Sequence, residues 1–201
     1  SSAASDVYKR QLLGCGRSDK SSITYTNFVY VQMISDFIKK IIGQKTDVIA
    51  SGFSGSFVTM ACHNEKELFN KIMLVNPPSL TQLKQMPNRK DRLLKAALEI
   101  PIFGTLVYHM IVSRDNINNL FIEKMYYNPF HVDNQMADAY YEAAHKGGYY
   151  TRFLYSSLAA KYININICHA LKALDNSIYI VEGETEPNLS LIHISEPTRL
   201  Q

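Results

Sequence analysis

The run Asp47-Val48-Ile49-Ala50-Ser51-Gly52-Phe53-Ser54-Gly55-Ser56-Phe57-Val58-Thr59-Met60-Ala61-Cys62 limits the folds open to this chain more than any other segment. It reads as a short apolar strand passing through a tight turn of small residues into a helix, with a hydroxyl at the apex. A serine at such a turn projects its oxygen away from both flanking elements, so a base and a substrate carbonyl can approach it from opposite sides. The turn brings backbone segments close together, which asks for small residues two before and two after the apex. Gly52 and Ser56 meet that demand around Ser54, and the strand then ends on Ala50 and Ser51. A second register puts Phe53 at the apex and leaves the turn without a nucleophile.

Read around Ser54, the turn resembles the nucleophile elbow of the α/β-hydrolase superfamily, G-x-S-x-G, with Ser56 in the place of the second glycine. The neighbouring segments follow in the order of that fold. Leu12-Leu13-Gly14-Cys15-Gly16-Arg17-Ser18-Asp19-Lys20 resembles the D-x-x-G-x-G-x-S loop after its fourth strand, without the aspartate. A dinucleotide-binding reading of Gly14 and Gly16 fails, because Asp19 stands where a third glycine is needed. Tyr30, Met33, Ile34, Phe37, Ile38, Ile41 and Ile42 recur at helical spacing, and Gly43 supplies a stop. Lys71-Ile72-Met73-Leu74-Val75-Asn76-Pro77-Pro78 reads as a buried parallel strand and resembles the sixth strand. The resemblance implies an α/β class: a partial α/β-hydrolase fold with a short parallel sheet, flanking helices and an inserted helical cap. Residues 12–78 are the expected partial core, 79–162 the cap, and 163–188 a core helix from Ile163 to Leu174, a strand and an acid turn.

In the cap, the pairs Tyr126-Tyr127, Tyr140-Tyr141 and Tyr149-Tyr150 either pack or line an acyl pocket. Its apolar run from Ala96 to Val112 is interrupted by Glu99, Pro101, Gly104 and His109. It is shorter than the roughly 20 residues a span requires, so a cap helix or membrane-facing lid is expected and stable membrane insertion is not. Ser177-Ile178-Tyr179-Ile180-Val181-Glu182-Gly183-Glu184-Thr185-Glu186-Pro187 resembles the seventh strand and the turn carrying the acid of the catalytic triad. Residue-by-residue matching places that acid at Glu186, which would hold a histidine in its tautomer and stabilise the imidazolium. Glu182 and Glu184 compete for the role, and Asn76 marks the sixth-strand end where some members carry the acid.

Residues 1–11 and 189–201 resemble translated sequencing-adapter read-through and are set aside from fold reasoning as artefactual flanks. His193 follows Glu186 too closely for an intervening helix and strand, and no other histidine takes the place of a general base. His145, beside Gly147 and Gly148, and Phe53 are candidates for touching substrate. The amide of Gly55, following the serine, is the oxyanion donor the resemblance implies. The second donor belongs to a loop of the first half of the fold that is not in this sequence, and losing one such donor costs about 10² to 10³ in rate. The expectation is a serine hydrolase acting on a small ester or similar acyl substrate, in a fragment that is itself inactive. A non-hydrolytic or catalytically silent small-molecule binder on the same fold is the alternative.

With 201 residues and 46% hydrophobic content, the chain can bury a single core. Its formal charge of +3 is not gathered into a basic stripe, so nucleic-acid binding has no support. Cys15, Cys62 and Cys168 lack metal-ligand spacing and read as reduced thiols of a cytoplasmic protein. No metal or cofactor is expected. The elbow strand lacks a partner on one side, so self-association through an exposed sheet edge is expected.

Overall fold

The computed structural model of the protein describes residues 7–120 and 134–183. These residues form two compact units, one drawn from residues 24–97 and 156–183, the other from 7–23, 98–120 and 134–155.

The first unit is built on three parallel strands, β1 (Thr46–Ser51), β2 (Phe69–Val75) and β3 (Ser177–Val181), in the order β1-β2-β3. Parallel neighbours need crossover connections. Helix α2 (Ser54–Asn64) lies in the first of these, while α3 (Leu80–Leu83), α4 (Arg89–Glu99) and α9 (Cys168–Ala173) belong to the long second connection. Helix α1 (Asn27–Phe37) precedes β1 and continues into a π-helical turn, Ile38–Ile42. Gly43 ends it at φ 70°, with its N–H bonded to the Ile38 carbonyl at 2.7 Å, the left-handed stop the sequence suggested. Tyr30, Val31, Ser35 and Ile38 form the buried side, whereas Met33 and Ile41 are exposed.

The sheet buries Ala50, Phe69, Ile72 and Leu74, and α2 contributes buried Phe57, Val58, Ala61 and Cys62 to the core. The other face is open. Ile49, Met73 and Tyr179 lie in register across the three strands, and Ile49 is 72% exposed. Burial pushes the Cys62 thiol pKa up, leaving it a weak nucleophile.

The helix expected from Ile163 is shorter than its pattern. It starts at Cys168, whose N–H bonds the Asn166 side-chain oxygen at 3.1 Å, because the preceding segment is pinned as a loop. There Asn164 donates to the carbonyls of Gln82 and Gln85, both at 2.9 Å, and its own carbonyl accepts from Asn27 at 2.6 Å. At the start of α4, Asn88 and Asp91 exchange side-chain-to-backbone bonds of 3.0 and 2.9 Å in a capping box.

The second unit is helical: α5 (Pro101–Ile111), α6 (Arg114–Leu120), α7 (Asn134–His145) and the first part of α8 (Thr151–Ala159). Pro101 opens α5, where its missing N–H costs nothing, and so divides the apolar run from Ala96 to Val112 into two helices. An Arg114–Asp138 ion pair ties α6 to α7, and Tyr108 donates to the Ala144 carbonyl at 2.8 Å. The Gly14 and Gly16 loop closes on itself, with the Gln11 side chain accepting from the Arg17 amide at 2.9 Å. Among the described residues no single helix is long and apolar enough to cross a membrane.

Candidate functional site

The C-terminal ends of the strands lie level, since Ser51 pairs with Val75 and Val75 with Val181. In open parallel sheets this edge is where ligands bind. Three chain segments leave it: the turn into α2, Asn76 after β2, and Glu182 after β3.

The turn departs from the sequence reading at its apex. Gly52, at φ 57°, is the left-handed residue, and a side chain there would meet open space. Its N–H bonds the Val75 carbonyl at 2.9 Å, fastening the turn to β2. Phe53 is already right-handed at φ −57° and ψ −27°, and Ser54 is the first residue of α2. Neither Ser54 nor Phe53 therefore holds the strained position; the residue that does is the one for which positive φ is cheap. Ser54 is half-exposed beside a half-exposed Phe53.

Gly55 is also used differently from the expectation. Its N–H donates to the Gly52 carbonyl at 3.0 Å, and that of Ser56 to the Phe53 carbonyl at 3.1 Å, so the expected oxyanion donor is engaged within the turn. The amides of Phe53 and Ser54 make no such turn bond among the described residues, which leaves them as the donors at the start of the helix. The small residue at 55 serves packing: a side chain there would come within 3.2 Å of Leu74 Cδ2. Ser56 is buried, with its hydroxyl donating to the Phe53 carbonyl at 2.7 Å.

On the acid side, Glu186 lies outside the described residues. Asn76 adopts φ 45°, receives the Gly183 N–H on its side-chain oxygen at 3.2 Å, and donates its own N–H to the Val181 carbonyl at 2.8 Å. Glu182, a competitor for the acid role, has both carboxylate oxygens buried without a hydrogen-bond partner among the described residues. A carboxylate out of water calls for a donor. The acid spacing in the sequence does not reveal that burial.

Of the described histidines of this unit, His63 and His169, neither stands at the turn. His63 ends α2, roughly 14 Å along the helix axis from Ser54, and stands edge-on to His169 at 5.2 Å. In the other unit, His145 is stacked on His109 at 5.0 Å, lies 4.1 Å from the Tyr141 ring, and bonds the Tyr141 carbonyl through Nδ1 at 2.8 Å. Among the described residues no three of His, Cys, Asp or Glu converge to hold a metal ion.

A short parallel sheet flanked by helices, with a strand-turn-helix at its C-terminal edge, defines an α/β protein. The chain has part of the α/β-hydrolase fold, and solved structures of that fold resemble it. A carboxylesterase from Nitrososphaera gargenis superposes with a TM-score of 0.58 at 15% identity, covering 92% of this chain and 64% of its own. A meta-cleavage product hydrolase from Pseudomonas fluorescens gives 0.61 at 18% identity, covering 89% and 62%. A bromoperoxidase from Bacillus anthracis gives 0.61 at 11% identity, covering 86% and 61%. The chain thus spans less than two thirds of the length of each. No family model matches the chain, and no curated protein matches it in sequence.

Proposed function

We propose that this chain is the central part of a serine hydrolase acting on a small ester or similar acyl substrate, with Ser54 as the nucleophile. The observation that carries this reading is the placement of the partly buried Ser54 at the start of α2, on the C-terminal edge of the parallel sheet where such folds bind ligands. In this scheme the serine attacks the carbonyl and forms an acyl-enzyme, helix-start amides receive the negative oxygen, and a carboxylate after β3 orients the base. Glu186 is the acid in the superfamily frame, with Glu182 its competitor. Among the described residues of the sheet-bearing unit no histidine lies in hydrogen-bond reach of the hydroxyl, which leaves it a weak nucleophile, so this chain alone is expected to hydrolyse p-nitrophenyl acetate no faster than buffer. The test is fluorophosphonate labelling of a longer protein carrying this segment, read by mass spectrometry of the Ser54 peptide. Stoichiometric label, lost in Ser54→Ala, is the expected result; an unlabelled Ser54 in a folded protein overturns the assignment.

Gly52 at the left-handed position favours a second reading, a small-molecule binder on the same fold without catalysis. An ester that binds the longer protein and is recovered intact, with Ser54 unlabelled, is the outcome this reading requires. The three cysteines, none of them in a disulfide, fit a reducing compartment such as the cytoplasm.

Self-association belongs to the same proposal. Parallel sheets are covered on both faces, and the open row of Ile49, Met73 and Tyr179 beside the edge of β1 offers apolar surface to a second copy. Light scattering is expected to show mass rising with concentration, and Ile49→Lys with Tyr179→Lys to shift the population to monomer. A wild-type chain that stays monomeric throughout the series would rule this out.

A further inference from the structure

Asn76 holds a backbone conformation that its own sequence disfavours. Its φ of 45° lies in the left-handed region, where residues other than glycine are uncommon, and Pro77 follows it, which biases a preceding residue toward extended geometry. Strain of this kind persists where the surroundings fix it, and it clusters at functional sites. Two of the bonds Asn76 makes show what is being fixed. Its N–H reaches the Val181 carbonyl at 2.8 Å, and its side-chain oxygen receives the Gly183 N–H at 3.2 Å. Val181 and Gly183 are the chain neighbours of Glu182, so one residue grips the backbone on both sides of that glutamate.

Glu182 is a residue for which such a grip has a use. Both of its carboxylate oxygens are buried with no hydrogen-bond partner among the described residues, and an anion out of water calls for a donor or a cation. Side chains alternate along a strand. One step past β3, residue 182 falls on the face of Ile180, which is in register with Leu74. That is the face on which α2 packs, since Leu74 Cδ2 is the nearest atom to a side chain built at Gly55. The carboxylate and the start of α2, where Ser54 stands, thus belong to one face and one edge of the sheet. The exits of β1 and β3 are two strand spacings apart, roughly 10 Å, which leaves room for a ring between them.

We propose that Asn76 is a positioning residue that clamps Glu182, and that the Glu182 carboxylate accepts the N–H of the catalytic base. This rests on the serine-hydrolase reading above, and it assigns to Glu182 the role that the superfamily frame gives to Glu186. The turn alone would be better served by glycine, for which positive φ is cheap. What asparagine adds is the side-chain oxygen that holds Gly183.

The clamp is tested in this chain by Asn76→Gly, which suits the left-handed turn and removes the side-chain oxygen, beside Asn76→Asp, which keeps an acceptor. Asn76→Gly is expected to leave the thermal midpoint unchanged or raised, yet to speed hydrogen exchange at the Gly183 amide at least about tenfold, while Asn76→Asp stays within about threefold of wild type. Unchanged Gly183 exchange in Asn76→Gly, or a lowered midpoint with faster exchange throughout the sheet, overturns the clamp. The role of Glu182 is read in the longer protein as the rate of fluorophosphonate labelling at Ser54. Glu182→Gln is expected to lower that rate at least about a hundredfold, and Asn76→Gly at least about tenfold, with the circular dichroism spectrum kept. A folded Glu182→Gln that labels at the wild-type rate overturns the assignment of the carboxylate. An unlabelled wild-type protein sinks the serine-hydrolase reading and the role of Glu182 with it, while Gly183 exchange still decides the clamp.

Discussion

Phe57→Ala is expected to destabilise the sheet-bearing unit by about 3–5 kcal/mol, the usual cost of emptying a buried aromatic site. The ring is 2% exposed and lies 4.9 Å from Tyr30, which stands 6.3 Å from Tyr25. Tyr25 is anchored in turn, its N–H bonded to the Ser157 hydroxyl at 3.1 Å. Removing the first ring leaves a cavity between α2 and α1 that neither neighbour can fill without releasing its own contacts. Against the roughly 5–15 kcal/mol holding a typical domain folded, that loss is a large share. The control is Phe28→Ala in α1, where the ring is 80% exposed, with an expected change within about 0.5 kcal/mol. Urea denaturation followed by far-UV circular dichroism compares the two. Similar midpoints would mean that Phe57 is not packed as described. The consequence for function follows from position, because Phe57 and Ser54 lie in the first turn of the same helix. A loosened α2 moves the candidate nucleophile without touching it.

What the sequence disclosed and what it withheld differ for physical reasons. All three strands were readable as short apolar runs, although β1 and β3 bury little of their length, and Gly43 marked the end of the first helical segment because a left-handed stop favours glycine. The apex of the turn was not. Gly52, Ser54 and Gly55 are all small enough for a tight bend, and composition cannot say which takes positive φ. The bond from the Gly52 N–H to the Val75 carbonyl, a tertiary contact, accompanies the left-handed turn at Gly52. Likewise Ile163 to Leu174 carries a helical pattern throughout, but Asn164 secures three hydrogen bonds with Asn27, Gln82 and Gln85 only by leaving the helix. Buried Arg152 gave no signal at all. Arginine is ordinarily exposed, and its burial depends on Glu99 and Thr105, far away in sequence.

Gly104→Ala sets two effects of opposite sign against each other in α5. In an exposed helix interior the change is stabilising by about 1 kcal/mol, since alanine is the better helix former. Gly104 is buried, however, and a Cβ built on it falls inside the van der Waals envelope of the Leu98 carbonyl and its carbon. The obstacle is backbone, so no rotamer change relieves it, and the end of α4 has to move away from α5. Overpacking of this kind costs about 1–3 kcal/mol, occasionally more, which outweighs the propensity gain. The displaced segment includes the Glu99 carbonyl that accepts from Arg152. The variant is therefore expected to lose thermal stability, read as a lower midpoint in a melt followed by circular dichroism. Hydrogen exchange of the α5 amides should be faster than in the wild type while β2 amides keep their protection. A variant more stable than wild type would show that the approach of α5 to Leu98 is looser than described, and with it the cradle around Arg152.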